Sequence, residues 1–317
     1  MREFLNGAEI EIKKAAAVLK DGNLVAFPTE TVYGLGADAT NHRAVSRIYS
    51  VKGRPTNHPL IVHIASSKSL QTWTTDIPKY ASMLAKEFWP GPMTLILKRN
   101  DLAKDFITGG QGCIGVRVPA HPIALSLLRE FEILGGKGIA APSANRFGAV
   151  SPTTAIAVES ELGFFLNQED LIIDGGQSLI GVESTIIDCT DSIPVIIRPG
   201  AVTGEMIENL VGKFSILSSN GIKASGLLES HYSPKAKVKL GDFAGPGEGF
   251  LALANTPTPL GAFRLAAPED IESYAKDLYV ALRFADQQGI NTIVAMPPEG
   301  SGLAEAIRDR LTKASKG

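Results

Sequence analysis

Lys52-Gly53-Arg54 puts two cations two residues apart, where a helical pattern stops and Pro55 follows. Gly53 lets the backbone bend, so both side chains belong to a loop rather than to a helical face. A lysine is a point charge and an arginine a planar fork, and together they suit a polyphosphate. No Asp or Glu occurs from Ala39 to Thr75, a window that holds Arg43, Arg47, Lys68, His42, His58 and His63 as well. For Arg43 and Arg47 the plainer reading is preferred: a solvated basic helix end complementing its own dipole. A second acid-free stretch, Ile133 to Val158, contains Ala140-Ala141-Pro142-Ser143-Ala144-Asn145-Arg146. Its Ser143 and Asn145 offer a hydroxyl and an amide among small residues, which fits a phosphate or a base edge, or a plain Ser/Asn turn.

Four further segments carry candidate groups. Phe27-Pro28-Thr29-Glu30-Thr31-Val32-Tyr33-Gly34-Leu35-Gly36 reads as a strand ending in a polar turn with two close-approach glycines. That suits a ligand crevice at a strand's C-terminal end, and equally a turn that merely caps the strand. Arg117 alternates with apolar neighbours in Gly115-Val116-Arg117-Val118-Pro119, so it needs a carboxylate partner, from the protein or from a substrate. His63 stands alone in Ile61-Val62-His63-Ile64, where a histidine is more often a satisfied core residue than a catalyst. His231-Tyr232-Ser233-Pro234 places a histidine and an aromatic in a turn-rich stretch, which suggests a lid; otherwise Tyr232 only pins that stretch down. There is no Gly-x-x-x-x-Gly-Lys-Ser/Thr loop, Gly-x-Gly-x-x-Gly turn or Gly-x-Ser-x-Gly elbow. A nucleotide would have to be held by scattered Lys, Arg, Ser and Asn groups.

These groups need a scaffold. Helices are expected from Ile10 to Leu19, stopped near Gly22, and at Ala44–Lys52, Lys79–Trp89, Ile123–Phe131 and Gly204–Leu210. Strands are expected at Leu24–Pro28, Leu60–Ile64, Met93–Leu97, Ile114–Val118, Gly138–Ala141, Leu171–Ile173, Thr185–Asp188 and Val195–Arg198. Strands alternate with helices at first and then cluster, which argues for a mixed α/β sheet. From Phe214 to Lys237, Ser, Gly, Asn and Pro mark a linker or a long ordered loop. Strands at Phe250–Ala254 and Ile293–Met296, with helices at Ile271–Gln288 and Leu303–Lys313, make a small α/β domain. The expected division is 1–212, a linker or lid at 213–237, and 238–317.

Composition narrows the class. At 317 residues the chain exceeds the size at which one core usually stops growing. With 44% hydrophobic and 20% charged residues it is not a disordered chain. A net charge of −2 argues against gripping duplex nucleic acid through phosphates alone. Two cysteines, Cys113 and Cys189, leave one disulfide open but make neither a disulfide scaffold nor a zinc pattern, and no protein-held metal is expected. No signal-type apolar core opens the chain and no run nears the roughly 18 apolar residues of a membrane span. A soluble cytoplasmic protein is the expectation.

Read together, the motifs resemble one family. Thr29-Glu30-Thr31-Val32-Tyr33-Gly34-Leu35-Gly36, Lys52-Gly53-Arg54-Pro55, His58-Pro59-Leu60, Trp89-Pro90-Gly91-Pro92-Met93-Thr94, Gly115-Val116-Arg117-Val118-Pro119, Pro142-Ser143-Ala144-Asn145, Glu183-Ser184-Thr185-Ile186 and Arg198-Pro199-Gly200 stand in the order found in threonylcarbamoyl-AMP synthases of the YrdC-like family. His231-Tyr232-Ser233-Pro234 resembles the linker motif of the longer, two-domain form. The resemblance implies an open, twisted mixed α/β sheet with a basic concave cavity, followed by a small Rossmann-like domain. It implies a nucleotidyltransferase that converts L-threonine, bicarbonate and ATP, with Mg2+, into threonylcarbamoyl-AMP and pyrophosphate. The product would pass transiently to the transferase machinery that makes N6-threonylcarbamoyladenosine beside the anticodon of tRNA. Carried over by position, Lys52, Arg54, Ser143 and Asn145 mark the active site. Thr31, His63, Arg117 and Ser184 would hold threonine, Arg117 by its carboxylate. Arg54, His58, Cys113, Ala141, Ser143, Ser151, Arg198 and Tyr232 fall at ATP-contacting positions. Cys113 stands where Thr is common and His58 where Asn is common, and a thiol donates weakly, so Cys113 would contact ATP by backbone if at all.

Three other readings compete, of which the blandest, a nucleotide-binding regulator that has lost turnover, has the intact Lys52, Arg54, Ser143 and Asn145 against it. A carbamoyl-AMP-forming relative would carry acylphosphatase-like and zinc-finger segments, which this chain lacks. A non-catalytic RNA-binding module using the basic cavity is the alternative from another class, with weak tRNA binding as its trace. The acidic net charge and lack of an RNA-binding motif weigh against it.

Overall fold

The computed structural model describes residue 5, residues 8–216 and residues 221–317. Helix α1 (Glu9–Lys20) buries Ile12, Ala15, Ala16 and Leu19 on one stripe. Strand β1 (Val25–Phe27) leads through a turn into β2 (Gly34–Asp38), which returns antiparallel with Gly34 opposite Phe27. The sequence suggests only a turn here. Gly36 explains the strand, since a Cβ there would lie 2.7 Å from Ile139 and 2.9 Å from Phe27. A close-packed glycine strand carries no β-branched pattern to read.

Helix α2 (His42–Lys52) starts where the Asn41 side chain accepts the Ala44 N–H at 3.2 Å, and stops at Gly53, whose φ of 62° is left-handed. Then follow β3 (Ile61–His63), α3 (Lys79–Phe88), β4 (Met93–Lys98), α4 (Asp105–Thr108), β5 (Cys113–Arg117), α5 (Pro122–Ile133), β6 (Ile139–Ala140), α6 (Ala155–Leu162), β7 (Leu171–Ile172), β8 (Thr185–Asp188), β9 (Val195–Arg198), α7 (Gly204–Val211) and β10 (Ser215–Ile216). These strands form one mixed sheet in the order β10-β9-β8-β4-β5-β3-β6-β2-β1-β7. Its centre decides where the site lies. Parallel β3 and β5 put His63 opposite Arg117, antiparallel β6 puts Ala140 opposite Val62, and Gly34 bridges to Ser143.

The C-terminal unit holds β11 (Lys237–Leu240), β12 (Gly249–Leu251), β13 (Phe263–Ala266), α8 (Ile271–Gln287), β14 (Thr292–Ala295) and α9 (Leu303–Ala314). Its sheet is parallel throughout, in the order β11-β14-β12-β13. Asp270 and Ser273 close a capping box at the start of α8. The stripe Tyr274, Leu278, Ala281, Leu282 and Ala285 is buried as its spacing predicts. That core extends to Val32, Val150, Val182 and Tyr232, so the two units share apolar packing.

Short elements escaped the sequence pattern: α4, α6, β10, β11 and β13. The turn-rich stretch is in part ordered, because β10 pairs with β9 at the sheet edge and Lys223 exchanges backbone hydrogen bonds with the Gln111 side chain at 2.7 and 3.0 Å. Its residues 217–220 lie outside the described residues. Both cysteines are buried and free. Arg47 is no solvated helix end either: it grips the buried Asp170 with two hydrogen bonds of 2.8 and 2.6 Å. The partner lies far off in sequence, which the local pattern cannot reveal. Arg47→Ala would remove this buried two-bond ion pair and is expected to destabilise the fold by about 2–3 kcal/mol, read as a lower urea midpoint.

Candidate functional site

The C-terminal ends of β1, β3 and β5 and the starts of β2 and β8 surround a narrow cavity of about 50 Å³. Its wall carries Thr31, Arg54, His63, Arg117, Ala141, Ser143, Ser184, Arg198 and Tyr232, nine positions singled out from the sequence. The turn before β2 is rigid: Thr29 Oγ1 donates to the Val32 carbonyl at 2.6 Å and lies 2.9 Å from Thr31 Oγ1. The turn motif is therefore both a cap and a wall.

Arg117 has found a protein partner. Its Nη2 donates to Glu30 Oε1 at 2.6 Å, and Glu30 Oε2 accepts the Ala120 N–H at 3.0 Å. Arg117 Nε is buried without a partner among the described residues. His63, read as a core histidine, has Nδ1 equally unpartnered, and burial with Arg117 alongside lowers its pKa to about 3. It is neutral at physiological pH. From the segment before β11, His231 Nδ1 and the Tyr232 hydroxyl are also buried and unpartnered among the described residues. His231 is pushed to about 3, chiefly by burial. Four polar atoms without partners among the described residues thus belong to the lining of one cavity, against the ordinary pattern of a satisfied interior.

Two guanidiniums supply the positive charge. Arg54 donates through Nη2 to Pro59 O at 2.9 Å and to Ser225 Oγ at 3.1 Å, and its plane lies 5.7 Å from the Phe147 ring centroid. Burial lowers its pKa to about 10, so it stays cationic. Arg198 holds the Ser184 carbonyl through Nε and Nη2 at 3.0 and 2.8 Å, and its Nη1 donates to Ser225 O at 2.8 Å. Ser225, itself on the cavity wall, thus bonds to both arginines. Gly226 is forced there, because a Cβ would collide with the Tyr232 hydroxyl.

The remaining predicted residues lie elsewhere. Lys52 is 2% exposed and donates to the carbonyls of Ser143, at 2.6 Å, and Asn145. Asn145 hands its amide N–H groups to Arg146 O and Ala149 O at 2.7 and 2.8 Å. Both stand behind the wall, fixing the loop that presents Ser143. Ser151 is also behind it, donating to Glu183 Oε1 at 2.6 Å. Cys113 borders a neighbouring apolar slot of about 20 Å³ lined by Lys223, Ala224 and Ser225, its thiol raised to about 11 by burial. His58 does not line the cavity; its ring lies 5.2 Å from that of Phe147.

Glu183 is the residue sequence reasoning named in a motif but gave no role. It lines the cavity, yet its carboxylate takes Ser151 on one oxygen and Tyr279 and Arg310 on the other, at 2.9 and 3.0 Å. Burial alone would raise its pKa, but Arg310, Arg198 and these hydrogen bonds hold it at about 2. The signal in sequence was an acid among small polar residues; its partners lie too far along the chain to be read.

These shifts make acid stability a test. His63 and His231 at about 3 and Glu183 at about 2 all bind fewer protons folded than unfolded in the window above those values. Stability therefore rises with pH there. It should be complete near pH 7, decline from about 6.5 as the unfolded histidines protonate, and fall faster below about 4.5 as the carboxyl does. Urea midpoints at neutral pH and at pH 5 measure this, and His231→Asn should flatten part of the slope.

Comparison with known proteins agrees with this geometry. A family model described as telomere recombination, covering Sua5, YciO and YrdC, matches residues 17–200, and one described as threonylcarbamoyl-AMP synthase, C-terminal domain, matches residues 202–316. A Pyrococcus abyssi protein named threonylcarbamoyl-AMP synthase is 42% identical over 97% of this chain and 94% of its own length. A Bacillus subtilis protein of the same name is 39% identical over 97% and 93%. The crystal structure of Pyrococcus abyssi Sua5 complexed with L-threonine superposes with a TM-score of 0.89 at 39% identity, over 99% of this chain and 98% of that one. Matched along both units, the chain belongs to the two-domain Sua5/YrdC-like family of threonylcarbamoyl-AMP synthases.

Proposed function

We propose that this chain makes L-threonylcarbamoyl-AMP and pyrophosphate from L-threonine, bicarbonate and ATP, a nucleotidyl transfer that serves tRNA modification. The observation that carries the reading is the set of orphaned polar atoms on Arg117, His63, His231 and Tyr232 around one cavity. The names of the relatives and the L-threonine complex of the Pyrococcus protein support the substrate class.

Threonine fits with its carboxylate on the Nε side of Arg117, which Glu30 holds in place. The hydroxyls of Thr31 and Ser184 flank it, and neutral His63 accepts a hydrogen bond from the amine without repelling it. The amine nitrogen bonds to the bicarbonate carbon and water leaves. A carbamate oxygen then attacks the α-phosphorus while the bond to the β-phosphate oxygen breaks, releasing pyrophosphate. Catalysis of this kind is positioning plus charge stabilisation, and Arg54 and Arg198 supply the charge. Ser225 now occupies both, so a triphosphate must displace it. Magnesium would come with the phosphates, since Glu183, the acid on the wall, already accepts from Ser151, Tyr279 and Arg310.

The test is pyrophosphate release from ATP and magnesium, omitting threonine and bicarbonate in turn. Release that needs both is the expected result. Release that ignores threonine would sink the substrate assignment while leaving the fold untouched.

A further inference from the structure

We infer that α8 and α9 of the C-terminal unit set the working shape of the cavity, with Tyr279 and Arg310 as positioning residues; the kinetic part of this inference rests on the synthase reading. Neither side chain lines the cavity. Both are fully buried and reach across the boundary between the units. Tyr279 Oη and Arg310 Nε donate to Glu183 Oε2 at 2.9 and 3.0 Å, while Ser151 donates to Oε1 at 2.6 Å. Three donors from three elements fix one carboxylate. The peptide that continues into Ser184, with its grip on Arg198, is fixed with it.

The same two residues hold the lid. The Tyr279 ring stacks on Tyr232 at 5.7 Å and 25°, and the Arg310 guanidinium lies 5.4 Å from the Tyr232 ring centroid. Tyr232 has a φ of 62°, a left-handed conformation that a bulky residue keeps only when its surroundings enforce it. One turn along α9, Lys313 donates to Gly226 O at 2.7 Å. A single helix pair therefore holds both a wall segment and the lid that closes against it. A buried ion pair adds little stability over apolar residues of the same volume, so stability alone does not account for Arg310. Alignment of two parts around one ligand does.

Tyr279→Phe removes one hydroxyl and keeps the ring. Arg310→Lys keeps the charge but loses the fork and the stacking plane. In the full-length protein, hydrogen exchange in peptides spanning 182–186 and 221–236 should quicken in both variants by about tenfold, while the thermal midpoint moves by only a few degrees. The kcat/KM for ATP should fall by about tenfold. Ser151→Ala combined with Tyr279→Phe should cost no more than the worse single change, because both act through Glu183. Unchanged exchange in folded variants overturns the inference, and so does faster exchange with undiminished kcat/KM or additive losses in the double variant. Absence of pyrophosphate release by the unaltered protein would overturn the synthase reading alone, since the exchange comparison still decides whether the helix pair holds the lid.

Discussion

Arg117→Ala is expected to raise the threonine KM by about a hundredfold while moving the ATP KM by no more than about threefold. A hydrogen bond to a charged group contributes roughly 1.5–3 kcal/mol, and about 1.4 kcal/mol is a factor of ten. Arg117 commits Nη2 to Glu30 and leaves Nε buried and open, so a ligand carboxylate gains a donor without disturbing the protein pair. Truncation has a second effect that must be separated. Glu30 is buried, and stripping its cation is expected to destabilise the fold by about 3–5 kcal/mol. The pair Arg117→Met and Glu30→Gln removes both charges and should recover most of that stability. It should not recover the threonine KM. Steady-state kinetics with each substrate varied, beside denaturant melts, resolve the two effects. Equal rises in both KM values, or a threonine KM restored in the double variant, would exclude the carboxylate role.

The Arg117–Glu30 pair also marks how far the sequence could be read. An arginine alternating with apolar residues demanded a carboxylate, and that demand was met. Which carboxylate could not be read, because Glu30 and Arg117 come together only through the sheet: Glu30 lies in the turn between β1 and β2, while Arg117 ends β5 beside His63 of β3. The buried strands β3, β5, β12 and β14 were legible because burial on both faces leaves apolar runs, whereas the parallel but largely exposed β11 and β13 were not. β2 was not, because close approach to Ile139 and Phe27 selects glycine over the residues that announce a strand. The wall residues were legible as motifs. Whether each faces the cavity was not, since a strand's alternation tells opposite faces apart but not which face a later crossover will cover. His63 shows this: an isolated histidine in an apolar run reads as core, and only the parallel pairing with Arg117 turns it into a wall.

Lys52 is where local reading and three-dimensional placement diverge most. As one of two cations in a loop it is expected to meet the triphosphate, so that Lys52→Ala would abolish pyrophosphate release with the fold intact. Its placement changes the second half of that expectation. Nζ is buried on the Ser143 and Asn145 carbonyls, and burial, with Arg54 nearby, pushes its pKa well below the ordinary lysine range. Charged or neutral, the amine holds the loop that sets Ser143 on the cavity wall and keeps Asn145 in its turn. Lys52→Met would leave two buried carbonyls without donors, at about 1–3 kcal/mol each. The loop would shift, and displacement of reacting groups by about 1 Å is enough to lower a rate by roughly a hundredfold. The expected result is a fall in kcat of about two orders of magnitude together with a lower urea midpoint. A lysine that acted on phosphate directly would lose rate and keep its midpoint. Measuring both on one preparation decides whether the Lys-x-Arg pair is two phosphate ligands or, as the burial of Nζ argues, one ligand and the pin that holds its neighbour's loop.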